Sequence, residues 1–361
     1  MRATQALADI GQSLWLDNIT RDLIASGTLK RYIDELSVTG LTSNPSIFDH
    51  AITKGRAYDV TLQRLAPLGL SDEDAFFELA AEDIGAAADL FRPVYDGTGG
   101  IDGWVSLEVS PLLAYDTVKT VTQAEALYAK LGRPNVFIKI PGTPEGDAAI
   151  EETIFAGVPV NVTLLFSQAQ YRKAADAYFR GLERRLATGL DVKVSSVASL
   201  FVSRWDKATH DKVATPLQNR VGIAIAQEVY RAYRELLKSD RWARLARAGA
   251  VPQRLLWAST GTKDPSVSDV LYVEALAAPD TINTLPEGTL LAFATHGQVR
   301  GTLGTVGNDA DAILDQVTRA GVDIAKLASE LQTEGATAFE GSWKSLIASI
   351  HARIMACRSV P

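Results

Sequence analysis

Eight short β-branched or apolar runs recur along this chain, each followed by a longer stretch with apolar residues at helical spacing. They are SLWLDNI (13–19), VTGLTSNP (38–45), GWVSLEVSP (103–111), NVFIKIP (135–141), VPVNVTLLFS (158–167), VKVSSVASLFV (192–202), RLLWAST (254–260) and DTINTLP (280–286). Between them lie helix-like segments such as 71–91, 122–132, 167–189 and 217–239. Several begin at Ser or Thr with acidic residues in the first turn and end near Gly, as helix capping requires. The alternation is βα repeated, the pattern of a parallel sheet covered by helices.

Eight such units in 361 residues fit a closed parallel barrel better than an open sheet. No early strand carries the GxGxxG turn of an open dinucleotide-binding sheet, and the glycine-rich DGTGG (96–100) lies before a strand and reads as a loop. The expected fold is a single α/β domain over residues 1–361: a (β/α)8 TIM barrel with additional helices and a C-terminal helical segment. The extra helices fall in the insertions 46–102 and 203–253 and read as a solvated covering layer. The C-terminal segment, 312–355, packs outside the barrel or over one mouth.

Charge and cysteine content narrow the function classes. A net charge of -7 gives no basic field for a nucleic-acid backbone or an anionic membrane, so any positive charge on an anionic ligand must be local. One cysteine, Cys357, excludes an intramolecular disulfide framework, and His50, His210, His296 and His351 are too scattered for a spaced metal-ligand set. The expectation from these counts is a metal-free protein. The N-terminal stretch lacks a signal-peptide pattern and no run approaches 18 consecutive apolar residues, so a cytoplasmic location is expected.

In a parallel barrel the active site lies at the C-terminal ends of the strands, and polar residues recur there. Successive runs offer Asp17; Thr42 with Asn44; Glu108; Lys139; Asn161 with Thr163; Ser199 with Arg204 beyond it; and Ser259 with Lys263. Singly, each has an ordinary explanation. Asp and Asn at strand ends commonly cap helices or shape turns, Arg204 can pair with Asp206, and Lys263 beside Asp264 can be a solvated loop charge. Lys139 is different, because it interrupts an apolar strand between Ile138 and Ile140. An inward lysine is costly unless paired, and burial or a nearby cation drives such an amine toward the neutral form that attacks carbonyls. Asp17 and Glu108 are equally suited to a salt bridge with it and to the proton transfers of carbinolamine chemistry.

With these residues placed, the chain resembles the transaldolase family, Schiff-base aldolases that move a dihydroxyacetone unit between sugar phosphates. GLTSNPSIF (40–48) and NVFIKIPGTPEG (135–146) look like the two family signatures, supported in order by LWLD, SLEVSP, VNVTLLFS and ASLFVSRWD. The resemblance implies that Lys139 is the nucleophile and that Asp17 takes the C4 hydroxyl proton during C–C cleavage. It implies that Glu108, with a water held by Thr163, shuttles protons, and that Asn44 and Asn161 hold donor hydroxyls. Thr42, Ser199, Phe201 and Ser259 would line the substrate site, and Arg204 would bind phosphate. A second phosphate-binding arginine of the shorter transaldolases is missing. WASTGTKDP (257–265) puts Lys263 in that region, as in the longer bacterial branch related to transaldolase domains fused to a phosphoglucose isomerase. The implied partners are sugar phosphates, with neither nucleic acid nor membrane, and no oligomeric state follows. The implied reaction converts sedoheptulose 7-phosphate plus glyceraldehyde 3-phosphate to erythrose 4-phosphate plus fructose 6-phosphate. The alternatives are a fructose 6-phosphate aldolase that releases dihydroxyacetone, and a non-catalytic sugar-phosphate-binding barrel.

Overall fold

The computed structural model describes residues 2–304 and 309–358. Eight strands, β1 (Gln12–Asp17), β2 (Val38–Thr42), β3 (Trp104–Glu108), β4 (Val136–Pro141), β5 (Val160–Leu165), β6 (Ser196–Phe201), β7 (Arg254–Ala258) and β8 (Thr281–Leu285), pair in chain order and close on themselves. Every neighbouring pair is parallel, including β1 with β8. This is the expected (β/α)8 barrel. Seven strands fall inside the runs read from the sequence, and β1 begins one residue earlier. All residues of β3, β4, β5, β6 and β8 are buried, because helices cover the outer face while side chains fill the inner one. Gly40 shows how tightly: a Cβ there would sit 2.5 Å from the indole Nε1 of Trp15 on the adjacent strand.

The covering helices start where side-chain oxygens satisfy orphan backbone donors. Ser71 accepts from Asp74 N, Ser167 from Gln170 N and Thr143 from Gly146 N. The helix expected over 71–91 runs on as Asp72–Gly97 and carries Pro93 inside it. DGTGG thus begins in that helix, and its remainder is a turn in which Gly99 and Gly100 take φ of 63° and 84°. The helix expected over 217–239 starts later, at Val221, because buried Asp206 accepts the backbone N–H groups of Val221 and Gly222 and fixes the start there.

The C-terminal segment is two helices, Ala310–Arg319 and Ile324–Arg358, separated by a turn at Gly321 with φ 91°. The longer one lies over the C-terminal mouth. Gln332 Nε2 donates to Gly142 O at 2.7 Å and Leu164 O at 2.9 Å, which pins the helix to the ends of β4 and β5. It runs parallel to the helix Pro45–Lys54 along a polar seam of Ser46 with Ser342, Asp49 with Ser345 and Thr53 with Ser349. Among the described residues no helix is long and apolar enough to cross a membrane.

Candidate active site

Strand register brings the central residues together. Glu108 is the partner of Lys139 across β3 and β4, and Lys139 the partner of Asn161 across β4 and β5, so the three side chains lie side by side in one layer of the barrel. All three are buried, Lys139 at 5% exposure. Lys139 Nζ stands 2.9 Å from Glu108 Oε2 and donates to Ser43 O at 3.1 Å. The lysine thus faces the barrel interior, with Glu108 as its ion-pair partner. Among the described residues Glu108 Oε1 and the buried Thr163 hydroxyl have no hydrogen-bond partner, so both have capacity left for a bound molecule.

Asp17 closes β1 and is in register with Thr42 of β2. The Thr42 hydroxyl donates to Asp17 Oδ1 at 2.8 Å and lies 2.6 Å from the Thr284 hydroxyl, so a short chain of hydroxyls orients the carboxylate. Burial pushes the Asp17 carboxyl above the ordinary carboxylate range, opposed by the Lys139 charge and the Thr42 hydrogen bond. Glu108 moves the same way: burial raises it, Lys139 opposes, and the Asp17 charge raises it further. Two carboxyl groups biased toward keeping a proton flank one amine, the combination that proton shuttling needs.

The remaining candidates converge on the same cavity of about 510 Å³, which Asp17, Thr42, Lys139, Thr163, Ser199 and Phe201 line. Asn161 sits just behind, accepting from Ser199 Oγ at 2.7 Å and donating to Ser106 Oγ at 3.0 Å. Asn44 serves two purposes. Its Oδ1 accepts from Ile47 N as the N-cap of helix Pro45–Lys54, and its side chain also lines the cavity. Ser259, with φ 56°, ends β7 in a left-handed turn and lies 2.9 Å, hydroxyl to hydroxyl, from Ser203.

At the outer end of the cavity stand Arg204 and Lys263. Arg204 does not pair with Asp206, whose carboxylate is taken by Tyr272 and the start of the helix at Val221. Asp264 is likewise occupied, by Asn219 and Ser266, which leaves Lys263 free of its neighbour. Burial lowers both cations' pKa values. Glu334 opposes the shift at Arg204, while the like charges of Arg204 and Lys207 add to it at Lys263. Two converging cations without ion-pair partners among the described residues can hold an anion, and a guanidinium suits a phosphate fork. Arg204 is fixed partly by Phe201, whose ring centre is 5.2 Å from its Cζ.

Sequence reasoning missed four contributors: Ser43, Ser106, Thr284 and Phe339. Ser43 acts through a backbone carbonyl and Ser106 and Thr284 through small mid-strand hydroxyls, none of which leaves a pattern. Phe339, whose ring centre is 5.4 Å from Lys139 Nζ, arrives on the C-terminal helix, and its apolar periodicity reads as packing.

Residues 14–350 match the family model described as transaldolase/fructose-6-phosphate aldolase. The chain is 44% identical to a transaldolase from Arthrobacter sp. (strain FB24), covering 98% of each protein. It is 46% identical to one from Parafrankia sp. (strain EAN1pec), covering 96% of this chain and 97% of that one. A transaldolase from Thermobifida fusca (strain YX) is also 46% identical, over 95% and 96%. A barrel whose buried lysine and two carboxyl groups share one mouth with two converging cations is thus matched along nearly its whole length, and the chain belongs to the transaldolase/fructose-6-phosphate aldolase family.

Proposed function

We propose that Lys139 is the Schiff-base nucleophile with which this transaldolase transfers a dihydroxyacetone unit from a ketose phosphate to an aldose phosphate. The observation that carries the reading is the Lys139–Glu108 contact of 2.9 Å inside a buried mouth that also holds Asp17. Glu108 takes a proton from the Lys139 ammonium, and the free amine attacks the donor's C2 carbonyl. Glu108, through a water held by the Thr163 hydroxyl, then moves the protons needed to dehydrate the carbinolamine to an iminium. Asp17 accepts the C4 hydroxyl proton, the C3–C4 electron pair flows into the iminium, and the aldose phosphate leaves. The resulting enamine carbon bonds to the aldehyde carbon of the acceptor, Asp17 returns its proton to the new hydroxyl, and water delivered with Glu108 adds to C2 of the product iminium, so that the C–N bond breaks and frees the new ketose phosphate and the Lys139 amine.

Asn44 and the Asn161–Ser199 pair hold the donor hydroxyls, while Thr42 keeps Asp17 oriented. Arg204 and Lys263 hold the phosphate, with Lys263 standing where the shorter transaldolases have a second arginine. Phe201 and Ser259 shape the wall between these regions. The iminium supplies the electron sink, so the cycle calls on no cofactor. The substrates proposed are sedoheptulose 7-phosphate and glyceraldehyde 3-phosphate, giving erythrose 4-phosphate and fructose 6-phosphate. This is a step of the non-oxidative pentose phosphate pathway in the cytoplasm, carried out by residues 1–361 as one catalytic domain.

Borohydride reduction in the presence of fructose 6-phosphate, followed by peptide mass mapping, tests the mechanism. A reduced three-carbon adduct on the peptide carrying Lys139 is expected, and no adduct there would sink it. Release of glyceraldehyde 3-phosphate from fructose 6-phosphate should also depend on an acceptor aldose, since efficient acceptor-independent turnover belongs to an aldolase.

A further inference from the structure

β5, the strand that carries Asn161 and Thr163, ends in an unfavourable backbone conformation. Leu164, directly after Thr163, has φ 60°. Among the described residues the other non-glycine positions with positive φ are Ser37, Asn219, Ser259 and Asp280, all polar, whereas Leu164 is a bulky apolar residue for which this region is strongly disfavoured. The kink coincides with a bulge. The step from Val162 to Leu165 on β5 faces only that from Ala198 to Leu200 on β6, so β5 carries one extra residue there. A bulge at a strand end re-aims the neighbouring side chain, here the Thr163 side chain that lines the cavity.

Such a conformation persists only where its surroundings impose it. The Leu164 side chain is fully buried, and its carbonyl accepts from Gln332 Nε2 at 2.9 Å. The same amide group donates to Gly142 O at 2.7 Å, while Gly142 N donates to Thr163 O at 2.7 Å. These bonds close a ring around the ends of β4 and β5, and Gln332, itself buried on the helix Ile324–Arg358, is the member that neither strand supplies. We infer that Gln332 is a positioning residue, which holds the left-handed kink at Leu164 and so aims the Thr163 hydroxyl at the water it shares with Glu108. The inference rests on the proposed part of Thr163 and Glu108 in proton transfer.

Two steps distinguish this role from a general loss of structure. In the first, the Lys139 amine adds to C2, the carbinolamine oxygen takes a proton and leaves as water, and the iminium forms with protons moved by Glu108 and the water on Thr163. In the second, Asp17 of β1, across the barrel from β5, takes the C4 hydroxyl proton as the C3–C4 bond breaks. The Thr163 hydroxyl has no part in that cleavage. A slackened kink therefore slows the first step and spares the second.

Rapid mixing with fructose 6-phosphate, a borohydride quench at successive times and mass mapping of the Lys139 peptide read both steps. Total adduct reports iminium formation, and conversion of the six-carbon phosphate adduct to the three-carbon adduct reports cleavage. Fitted as consecutive steps, these are rate constants of the protein that reacts, so loss of folded protein drops out. Gln332→Met keeps the length and removes the donor. It should slow adduct formation about tenfold, the scale of a hydrogen bond felt in the transition state, and leave cleavage unchanged. If it does not accumulate as folded protein, Gln332→Asn, whose amide is one methylene short, should slow formation roughly threefold. Leu164→Gly supplies the control, because glycine adopts φ near 60° without a clamp. In that background Gln332→Met should cost less than about twofold. Unchanged adduct formation in the folded variant, equal slowing of both steps, or an undiminished cost in the Leu164→Gly background each overturns the inference. Thr163→Val in parallel separates the two readings. Adduct formation that survives Thr163→Val intact sinks the proton-transfer reading beneath, whereas slowing there with none in Gln332→Met sinks the role of Gln332 alone.

Discussion

The proposed mechanism asks Lys139 for both a charge partner and a neutral form. Ile138 and Ile140 are fully buried and lock β4, while Glu108 stands 2.9 Å from the amine, within reach of the proton that the proposed attack requires to leave. Lys139→Arg keeps the positive charge and the Glu108 pairing but cannot form an imine. Turnover in a coupled assay should fall by about a thousandfold or more, with the melting temperature nearly unchanged. Substantial residual activity would refute the assignment. The PGTPEG that follows has a structural explanation in full. Thr143 caps the helix Pro144–Ala156 and also donates to Ala114 O at 2.5 Å. A Cβ at Gly146 would fall 2.0 Å from Pro141 O, so only glycine lets the first turn approach the strand end. This stretch therefore contains one proposed nucleophile and a turn built to hold its strand.

At the scale of elements, the start of the helix Val221–Leu236 depends on a buried acid. Burial pushes Asp206 up to about 6, against the opposing hydrogen bonds from Tyr272 and the backbone of Gly222 and Val221. The carboxyl is protonated in both states at low pH. As pH rises from about 4 to about 6 the unfolded chain ionises first, the folded protein binds more protons, and stability falls across that window. In Asp206→Asn this component should be missing. The loss of unfolding free energy between pH 4.5 and 7.5, measured by urea titration, should shrink by roughly 2 kcal/mol. Equal slopes in the two proteins would contradict it.

The C-terminal helix carries a second such dependence. A Cβ on Gly335 would meet Arg204 Nη1 and Leu164 Cδ2, each at 2.9 Å. Both are ends of flexible side chains, so Gly335→Ala should displace the guanidinium without breaking the fold. The KM for fructose 6-phosphate should rise about fivefold while stability stays level or gains ~0.5 kcal/mol from better helix propensity. A KM within experimental error of the unsubstituted protein would show that the phosphate does not depend on Arg204's position. These elements also mark what the sequence makes legible. The eight strands, and the polar residues in or just after seven of them, stand out because a short apolar run that carries or ends in a polar residue is a local signal. Gln332, Gly335 and Phe339 do not, since they act nearly 200 residues from Lys139 through a helix whose pattern matches that of any covering helix.

For the whole molecule, the barrel separates stability from chemistry by placing them at opposite ends of the same strands. Arg254 begins β7 at the N-terminal face, only partly exposed. It donates to Ser13 Oγ at 2.6 Å and Thr281 O at 3.0 Å and lies 3.7 Å from Asp102, which also accepts from Trp15. Arg204 stands beyond the other end, beside β6, with no ion-pair partner among the described residues and a cavity in front of it. The first guanidinium stitches β1, β7, β8 and the loop before β3 together, whereas the second, partly buried beside the cavity, is the proposed phosphate contact. Arg254→Ala leaves Asp102 buried without its cation and should destabilise by about 3 kcal/mol, lowering the melting temperature by several degrees with kcat/KM unaltered at moderate temperature. Arg204→Ala should do the reverse. Its melting temperature should hold or rise, while kcat/KM for phosphorylated ketoses falls by the ~1.5–3 kcal/mol of a charge-assisted contact and that for unphosphorylated ketoses stays put. Thermal melts and kinetics on both variants decide the matter. Parallel losses of stability and activity in each would mean that the two faces are coupled through the barrel, and an unchanged preference for phosphorylated substrates in Arg204→Ala would move the phosphate contact to Lys263.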